Sequence, residues 1–256
     1  TITMAKKYYV VWKGASTGVF DNWANVQAAT VGRSDAQFMG FATETLAQAA
    51  FASTYTKALM QRSREKGTSS QSVKNTSSKT ATKVSPALPK INADIAIYCD
   101  GACSPNPGKS GTGVAIYQKN TLTDLWYGLY NANGTNNTAE LNGLLAAFKL
   151  AKPFIDQKQQ VEILSDSKYS IDSITKWAAG WQRKGWKKAN GEVIKNPELV
   201  QACFSLYQQI KTHVTISHVK GHANIEGNEL SDRMAVQARL KQNTDLIRYT
   251  DSMDIA

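Results

Sequence analysis

The chain has 256 residues, 42% of them hydrophobic, and a net charge of +10, enough length and apolar content for one or two folded cores. No apolar run approaches the ~18 residues of a membrane span, and no signal-peptide pattern is present, which favours an intracellular protein that is cytoplasmic or, in a eukaryote, nuclear or mitochondrial. Three cysteines without a C-x-x-C pair give poor support to a disulfide scaffold or a structural zinc site.

The positive charge is concentrated in one segment. Residues 57–91 carry eight Lys or Arg and one Glu, a net charge of +7. Residues 61–90 also contain eleven Ser or Thr and no aromatic residue, a composition that cannot bury a core. We therefore predict a flexible basic linker that is either simply solvated or attracts a polyanion. This linker would separate a domain at 4–56 from a larger one at 92–240, with a tail at 241–256.

The segment before the linker predicts a minimal α+β domain of about fifty residues. A strand is expected at Tyr8–Lys13, a short strand at "GVF", and helices beginning near Asn22 and Thr43. Seven aromatic residues lie between positions 8 and 41. Most of them should be core in so small a unit, and one or two exposed rings would suit stacking on bases or sugars.

The segment after the linker alternates between strands and helices. Strands are expected near 94–100, 112–118, 124–130, 161–165 and 213–219, and helices near 137–151, 167–179, 197–210 and 226–240. Three consecutive strands followed by alternating elements predict an α/β domain with a mixed five-stranded sheet flanked by helices.

Four acids lie where these elements begin or end: Asp100 at the end of the first strand, Glu140 at a helix start, Asp166 between a strand and a helix, and Asp232 on the last helix. Each has a simpler explanation, such as an N-cap at Asp166 or an N-x-x-E capping pair of Asn137 with Glu140. Together they suit the carboxyl edge of an α/β sheet, where clustered carboxylates bind Mg²⁺. Two such ions cleave phosphodiesters in many nucleases.

Six motifs of this segment resemble those of type 1 ribonucleases H, in the same order: "YCDGACSPNPGKSGTGVAI", "NNTAEL", "ILSDSKYS", "GWQRKGWK", "VKGHA" and "GNELSDRMA". The N-terminal "YYVVWKGASTGVFDNW" and "FMGFAT" look like the hybrid-binding domain that often precedes this nuclease. The resemblance implies a ribonuclease H fold, two bound Mg²⁺ ions with Mn²⁺ as a substitute, and endonucleolytic cleavage of the RNA strand in RNA–DNA hybrids. Products would carry 5′-phosphate and 3′-hydroxyl ends.

The same resemblance implies a role for each acid. Asp100 would bridge both ions, Asp232 would bind the ion on the nucleophile side, and Glu140 and Asp166 would bind the other. His222, in a Gly-flanked loop, would assist proton transfer or product release, although a histidine in such a loop is often only a surface residue. Imidazole suits either role because it titrates near neutrality.

The resemblance also implies nucleic-acid contacts. The RNA strand would meet Asn106, Asn136 and Asn137, and the DNA strand would meet Thr135, Tyr169, Trp177 and Asn196. In the N-terminal domain the contacts would be Tyr9 and Trp23, on a hybrid or on double-stranded RNA. This chain departs from the pattern at Asn133, where some members have arginine, and at Met39 and Gly40, where relatives have two lysines, so a weakened hybrid-binding domain is expected.

Two other functions fit part of the sequence. A non-catalytic hybrid-binding module would keep the basic and aromatic residues but lose the acids. A transposase or Holliday-junction resolvase would keep the acids but lack "KGHA", the basic segment 176–195 and the N-terminal domain. The chain has all of these features. We expect a monomer with no membrane partner.

Overall fold

The structure is a computed structural model that describes residues 7–65 and 93–255. The described residues form two compact units, one containing the chain up to residue 62 together with the last residues from 254, and the other spanning 63–253. None of the helices within the described ranges is both long enough and apolar enough to cross a membrane.

The first unit is a three-stranded antiparallel sheet with helices. Its strands, in the spatial order β2-β1-β3, are β1 (Tyr8–Lys13), β2 (Gly18–Phe20) and β3 (Gln37–Phe41), and its helices are α1 (Trp23–Thr30), α2 (Glu44–Phe51) and the first part of α3 (Tyr55–Glu65). Side chains of Asn22 and Thr43 cap α1 and α2, at the residues near which the sequence predicts that the two helices begin. The α+β character expected for this segment is confirmed.

Two features of this unit were not predicted. Strand β3 contains a glycine, which weakens the sequence signal for a strand, and its pairing to β1 supplies the missing stability. Helix α3 runs through Glu65, so the first nine residues of the predicted linker are helical. They are helical because Leu59, Met60 and Ser63 are buried. Residues 66–91, the rest of the predicted linker, lie outside the described residues.

The second unit has a mixed sheet of six strands in the order β8-β7-β4-β5-β6-β9. Strands β4, β5, β6 and β9 pair antiparallel, and β7 pairs parallel to both β4 and β8. The strands are β4 (Ile95–Cys103), β5 (Gly108–Gln118), β6 (Thr121–Gly134), β7 (Val161–Ser165), β8 (Val214–His218) and β9 (Ile247–Arg248). The mixed sheet is confirmed. The sixth strand comes from the tail and is too short to leave a sequence pattern.

Helices pack on this sheet. They are α4 (Asn136–Asp156), α5 (Lys168–Asp172), a π-helical turn (Ser173–Trp177), α6 (Ala178–Arg183), α7 (Pro197–Ile210) and α8 (Glu226–Lys241). The core contains Ile97, Leu144, Phe148 and Ile163, all fully buried. Helix α8 contacts β4, β5 and β6, whereas α4 contacts β4 and α7. Every predicted helix of this segment is present, and the one expected at 167–179 is divided by the π-helical turn.

The first three strands of this unit are longer than predicted, and two of the simpler explanations for the acids were wrong. Strand β4 continues three residues beyond Asp100, because pairing with β5 extends to Cys103. Helix α4 is capped by Thr135, whose hydroxyl accepts from the Thr138 amide, and not by Asn137. Ser167, rather than Asp166, caps α5. In both helices a hydroxyl does the capping, which leaves the neighbouring acids without a capping role.

Candidate active site

Strand register brings the first two acids together. In the parallel pair β4–β7, Tyr98 lies opposite Leu164, so the same register carried two residues further places Asp100 opposite Asp166. Asp100 is still within β4, and Asp166 is the first residue after β7. Because both strands point the same way, the two carboxylates meet at the same edge of the sheet.

Two glycines let the helices that carry the other acids approach this edge. A Cβ atom on Gly101 would overlap the backbone at Ala139 and Glu140, so α4 packs directly on β4 beside Asp100. A Cβ atom on Gly113, the partner of Asp100 in β5, would overlap the backbone at Ser231, next to Asp232 on α8. The backbones come so close that only glycine fits at either position.

The electrostatics show that the acids form one cluster. Asp100 is only 7% exposed, and burial raises the pKa of its carboxyl well above the usual value. The charges of Asp166, Asp232 and Glu140 raise that pKa further. Like charges have this effect only when they are near one another. The structure therefore brings together all four acids that the sequence singled out.

The other two shifted acids behave in the same way. Burial raises the pKa of Glu140, a hydrogen bond from Ser167 opposes the shift, and the charge of Asp166 adds to it. Burial also raises the pKa of Asp232, and the charges of Arg233 and, to a smaller extent, His222 oppose this shift. Grouping these carboxylates therefore lowers the stability of the folded protein, and a bound cation would offset that loss.

Hydrogen bonds orient three of these carboxylates. The Gly101 amide donates to Asp100 Oδ1 at 2.7 Å, the Ser167 hydroxyl donates to Glu140 Oε2, and Asn228 Nδ2 donates to Asp166 Oδ2 at 3.1 Å. Asn228 is 4% exposed, and its Oδ1 is buried without a hydrogen-bond partner among the described residues.

Ser167 and Asn228 were not singled out from the sequence. A polar residue one position after an acid, or four before one on a helix, carries little signal without the fold. The hint was their presence inside "ILSDSKYS" and "GNELSDRMA".

His222 lies in the exposed loop between β8 and α8. Its backbone is in the left-handed region, with φ of 52°, and Asn224 two residues later has φ of 58°. A Cβ atom on the preceding Gly221 would lie 2.7 Å from Asp166 Oδ2, so this loop passes beside the cluster, and the charge of His222 lowers the pKa of the Asp232 carboxyl.

The donor set suits a hard cation. Four clustered carboxylates, three of them with a raised pKa, favour magnesium-type ligation, which uses oxygen donors and retains water. Over residues 7–65 and 93–255, however, no three His, Cys, Asp or Glu side chains are already arranged as a ligand set. The carboxylates therefore lie in one cluster whose oxygens do not converge on a common point.

The predicted contacts for nucleic acid fall into groups. Asn106 Oδ1 accepts from the Asn136 amide at 3.2 Å, which joins the turn after β4 to the start of α4. The Tyr169 and Trp177 rings meet edge to face with centroids 6.3 Å apart, and Trp177 is 42% exposed.

The remaining predicted contacts lie at helix starts. Thr135 caps α4, and Asn137 lies in the first turn of that helix. Asn196 precedes α7 in the left-handed region and makes no side-chain capping bond.

The N-terminal unit presents its own aromatic surface. The rings of Tyr9 and Trp23 lie 5.5 Å apart, and Trp23, 48% exposed, also meets Phe38 at 5.8 Å. Positions 39 and 40, on the neighbouring strand β3, are a buried methionine and an exposed glycine, so neither carries a positive charge. Arg62 Nη2 donates to the Gly40 carbonyl at 2.6 Å, which brings one positive charge to this edge of β3.

Comparisons with known proteins identify the family of the chain. A family profile described as RNase H matches residues 92–239, and another described as Ribonuclease H1 N-terminal domain matches residues 7–51. A Ribonuclease H of Rickettsia akari is 39% identical over 150 residues, covering 58% of this chain and 93% of the relative. A Ribonuclease H of Agrobacterium fabrum is 40% identical over 141 residues, covering 55% and 91%.

Solved structures show the same fold. A foamy viral protease-reverse transcriptase in complex with RNA/DNA hybrid matches with a TM-score of 0.52 and 22% identity, over 66% of this chain and 23% of that one. The PFV RNase H domain matches with a TM-score of 0.50 and 24% identity, over 58% and 96%. The fold, the acid cluster and the family matches agree, so this chain belongs to the ribonuclease H family of nucleases that cleave the RNA strand of RNA–DNA hybrids.

Proposed function

We propose that Asp100, Glu140, Asp166 and Asp232 hold two Mg²⁺ ions, which Mn²⁺ can replace, and that cleavage leaves 5′-phosphate and 3′-hydroxyl ends. The observation that carries this proposal is the buried Asp100 carboxyl, whose pKa is raised by burial and by the other three carboxylates. Burying an ionised carboxyl beside three others lowers the stability of the folded protein, and a neutral residue at this position would avoid that loss. A destabilising group of this kind is typical of a functional site.

The chain's own residues prepare the cluster. The Gly101 amide, the Ser167 hydroxyl and the Asn228 amide each fix one carboxylate, which limits the rotation available before cations bind. When bound, the ions would activate a water molecule and stabilise the leaving oxygen of the phosphodiester. His222, exposed beside Asp232, would take up or release the proton that accompanies the reaction or product departure.

Recognition of the hybrid would use both sides of the cluster. The Asn106–Asn136 pair, with Asn137, would offer amide groups to the 2′-hydroxyls that mark the RNA strand. Trp177 and Tyr169 would pack on deoxyribose of the DNA strand.

One phosphate of the DNA strand would bind at the helix starts of Thr135 and Asn196. Helix starts favour anions, since their amides and dipole are positive.

The N-terminal unit would bind the same substrate and could also accept double-stranded RNA. Exposed Trp23, tilted against Tyr9, gives a platform for sugars or bases. The absent lysines at positions 39 and 40 weaken its hold on phosphate, and Arg62 together with the basic segment 66–91 would compensate in part. We propose that this segment is the linker, and that the protein acts as a monomer.

The test is cleavage of a labelled hybrid by the full chain and by Asp100→Asn, with Mg²⁺ or with EDTA. Asp94→Asn is a matched control, because Asp94 is an exposed acid just before the same strand. We expect Asp100→Asn to lose activity by at least about 100-fold, Asp94→Asn to match the wild type, and EDTA to abolish cleavage. Equal activity of Asp100→Asn, or cleavage of single-stranded RNA, would contradict the proposal.

A further inference from the structure

Ser63 lies in the last turn of α3, far from the acid cluster in sequence, yet it belongs to the nuclease unit. Its side chain is fully buried. The Ser63 hydroxyl lies 2.9 Å from the Tyr117 hydroxyl and donates to Glu226 Oε2 at 3.1 Å. Tyr117 is on β5, and Glu226 is the first residue of α8. One hydroxyl therefore joins three separate parts of the chain.

These contacts lie outside what the family match explains. The RNase H profile begins at residue 92, so no part of it corresponds to Ser63. The contact is buried and polar, and burial keeps the pKa of the Tyr117 phenol far above its usual value. Tyr117 is thus a neutral hydroxyl that shares hydrogen bonds with Ser63, and losing one partner would leave a buried polar group unsatisfied.

The start of α8 lacks a capping side chain. Its N-cap is Ile225, which supplies no side-chain hydrogen bond, and two residues of the preceding loop, His222 and Asn224, have left-handed backbone angles. A helix start without a capping side chain frays more readily. The bond from Ser63 to Glu226 therefore helps to anchor the first turn of this helix.

That first turn carries groups of the acid cluster. Asn228, two residues after Glu226, donates to Asp166, and Asp232 follows four residues later on the same helix. Fraying of the turn would draw the Asn228 amide away from Asp166 and would free the His222 loop. A displacement of about 1 Å at a catalytic group can cost up to 100-fold in rate.

We propose that Ser63 is a positioning residue of the nuclease, acting through Glu226 and the first turn of α8 on Asn228 and Asp166. It touches neither substrate nor metal. The inference rests on the proposed function, since it assumes that Asp166 and Asp232 belong to the catalytic cluster. Its consequence is that the nuclease depends on a residue that lies well before the family match and within the segment whose composition predicts a linker.

The experiment uses the full chain with Ser63→Ala, and Arg64→Ala as the matched control. Arg64 lies one residue further along α3 and makes an exposed ion pair with Asp251, a residue outside α8. We expect Ser63→Ala to lower kcat about three- to tenfold with little change in KM, as the loss of one hydrogen bond would. Arg64→Ala should match the wild type. Ser63→Thr, which keeps the hydroxyl, should recover most of the lost kcat.

Two further readouts separate positioning from a general loss of stability. Amide hydrogen exchange in the first turn of α8 should quicken in Ser63→Ala and not in Arg64→Ala. Glu226→Ala, which removes the acceptor oxygen, should lower kcat by itself, and adding Ser63→Ala to it should lower kcat little more, because both changes remove the same hydrogen bond. Unchanged kcat in Ser63→Ala, or fully multiplicative losses in the double variant, would overturn the inference.

The same series tests the underlying function separately. If Asp166→Asn cleaves hybrid normally, the proposed function fails, whatever Ser63→Ala does. If Asp166→Asn is inactive while Ser63→Ala has the wild-type kcat, only the positioning role fails.

Discussion

Replacing Asp100 with asparagine should stabilise the metal-free protein while it abolishes activity. Asp100 is 7% exposed, and both burial and three neighbouring carboxylates raise the pKa of its carboxyl. Asparagine has the same shape, keeps an oxygen for the Gly101 amide and carries no charge to bury. The folded state of the variant therefore escapes a penalty that the wild type bears at neutral pH.

The size of the effect follows from linkage. Each unit by which folding raises an acid's pKa corresponds to about 1.4 kcal/mol of lost stability once the acid is ionised. For a unit of this size, each kcal/mol recovered raises Tm by about 2–4 °C. Saturating Mg²⁺, at ~100 times its dissociation constant, would stabilise the wild type by about 2.7 kcal/mol, and we expect Asp100→Asn to gain much less because it lacks one of the four carboxylates that would hold the ions.

The assay is thermal unfolding of both proteins in EDTA and in Mg²⁺, followed across pH. In EDTA the variant should have a higher Tm than the wild type, and Mg²⁺ should reduce or reverse this difference in Tm. Raised folded-state pKa values mean that the native state holds more protons than the unfolded state, so wild-type stability should fall as pH rises from about 4 towards neutrality. That fall should be shallower in Asp100→Asn. A folded variant that melts below the wild type in EDTA at pH 7 would refute the reasoning.

Four further outcomes are expected. Asn228→Ala should reduce kcat about 10- to 100-fold, measured under saturating hybrid and Mg²⁺, because Asp166 loses its hydrogen bond; wild-type kcat would contradict this role. His222→Ala should slow turnover without abolishing cleavage, and complete loss would argue against an assisting role. Trp23→Ala should weaken hybrid binding of the full chain by about 1–3 kcal/mol in titrations, since its ring is exposed beside Tyr9. Replacing the four lysines between positions 66 and 83 with glutamine should reduce the salt dependence of hybrid affinity, and an unchanged slope would show that this segment does not contact the hybrid.

Much of the site could be predicted because its residues lie in ordered motifs. The alternation of strands and helices indicated a mixed sheet, and ligand sites of such sheets lie at the carboxyl ends of the strands, which predicted that Asp100 and Asp166 would meet there. Glu140 and Asp232 followed from the resemblance to a known family.

The rest depended on tertiary packing. The close approach of α4 and α8 at Gly101 and Gly113 comes from the shape of the folded backbone, which a glycine in a strand only hints at. The hydrogen bonds from Ser167 and Asn228 join residues 27 and 62 positions apart in sequence. Strand β9 has two residues and no periodicity to detect.

The observed domain border differs from the predicted one for a similar reason. Composition marks where hydrophobic residues become scarce, and by that measure the linker began at residue 57. Leu59, Met60 and Ser63 are nonetheless buried within α3. The average composition of a thirty-residue segment does not reveal a few buried residues within it when the rest of the segment is polar and basic.

Strand β9 affects whether copies of the nuclease associate with one another. It pairs with β6 at Trp126 and Tyr127, and the backbone of Tyr249 donates to the Leu125 carbonyl at 2.7 Å on the same edge. An uncovered strand edge is a template on which another chain can add a strand. A nuclease cut back to residue 240, near the end of the family match, would expose these backbone groups of β6, and self-association at that edge should follow. The tail thus covers an edge of the sheet that would otherwise be open to a second chain.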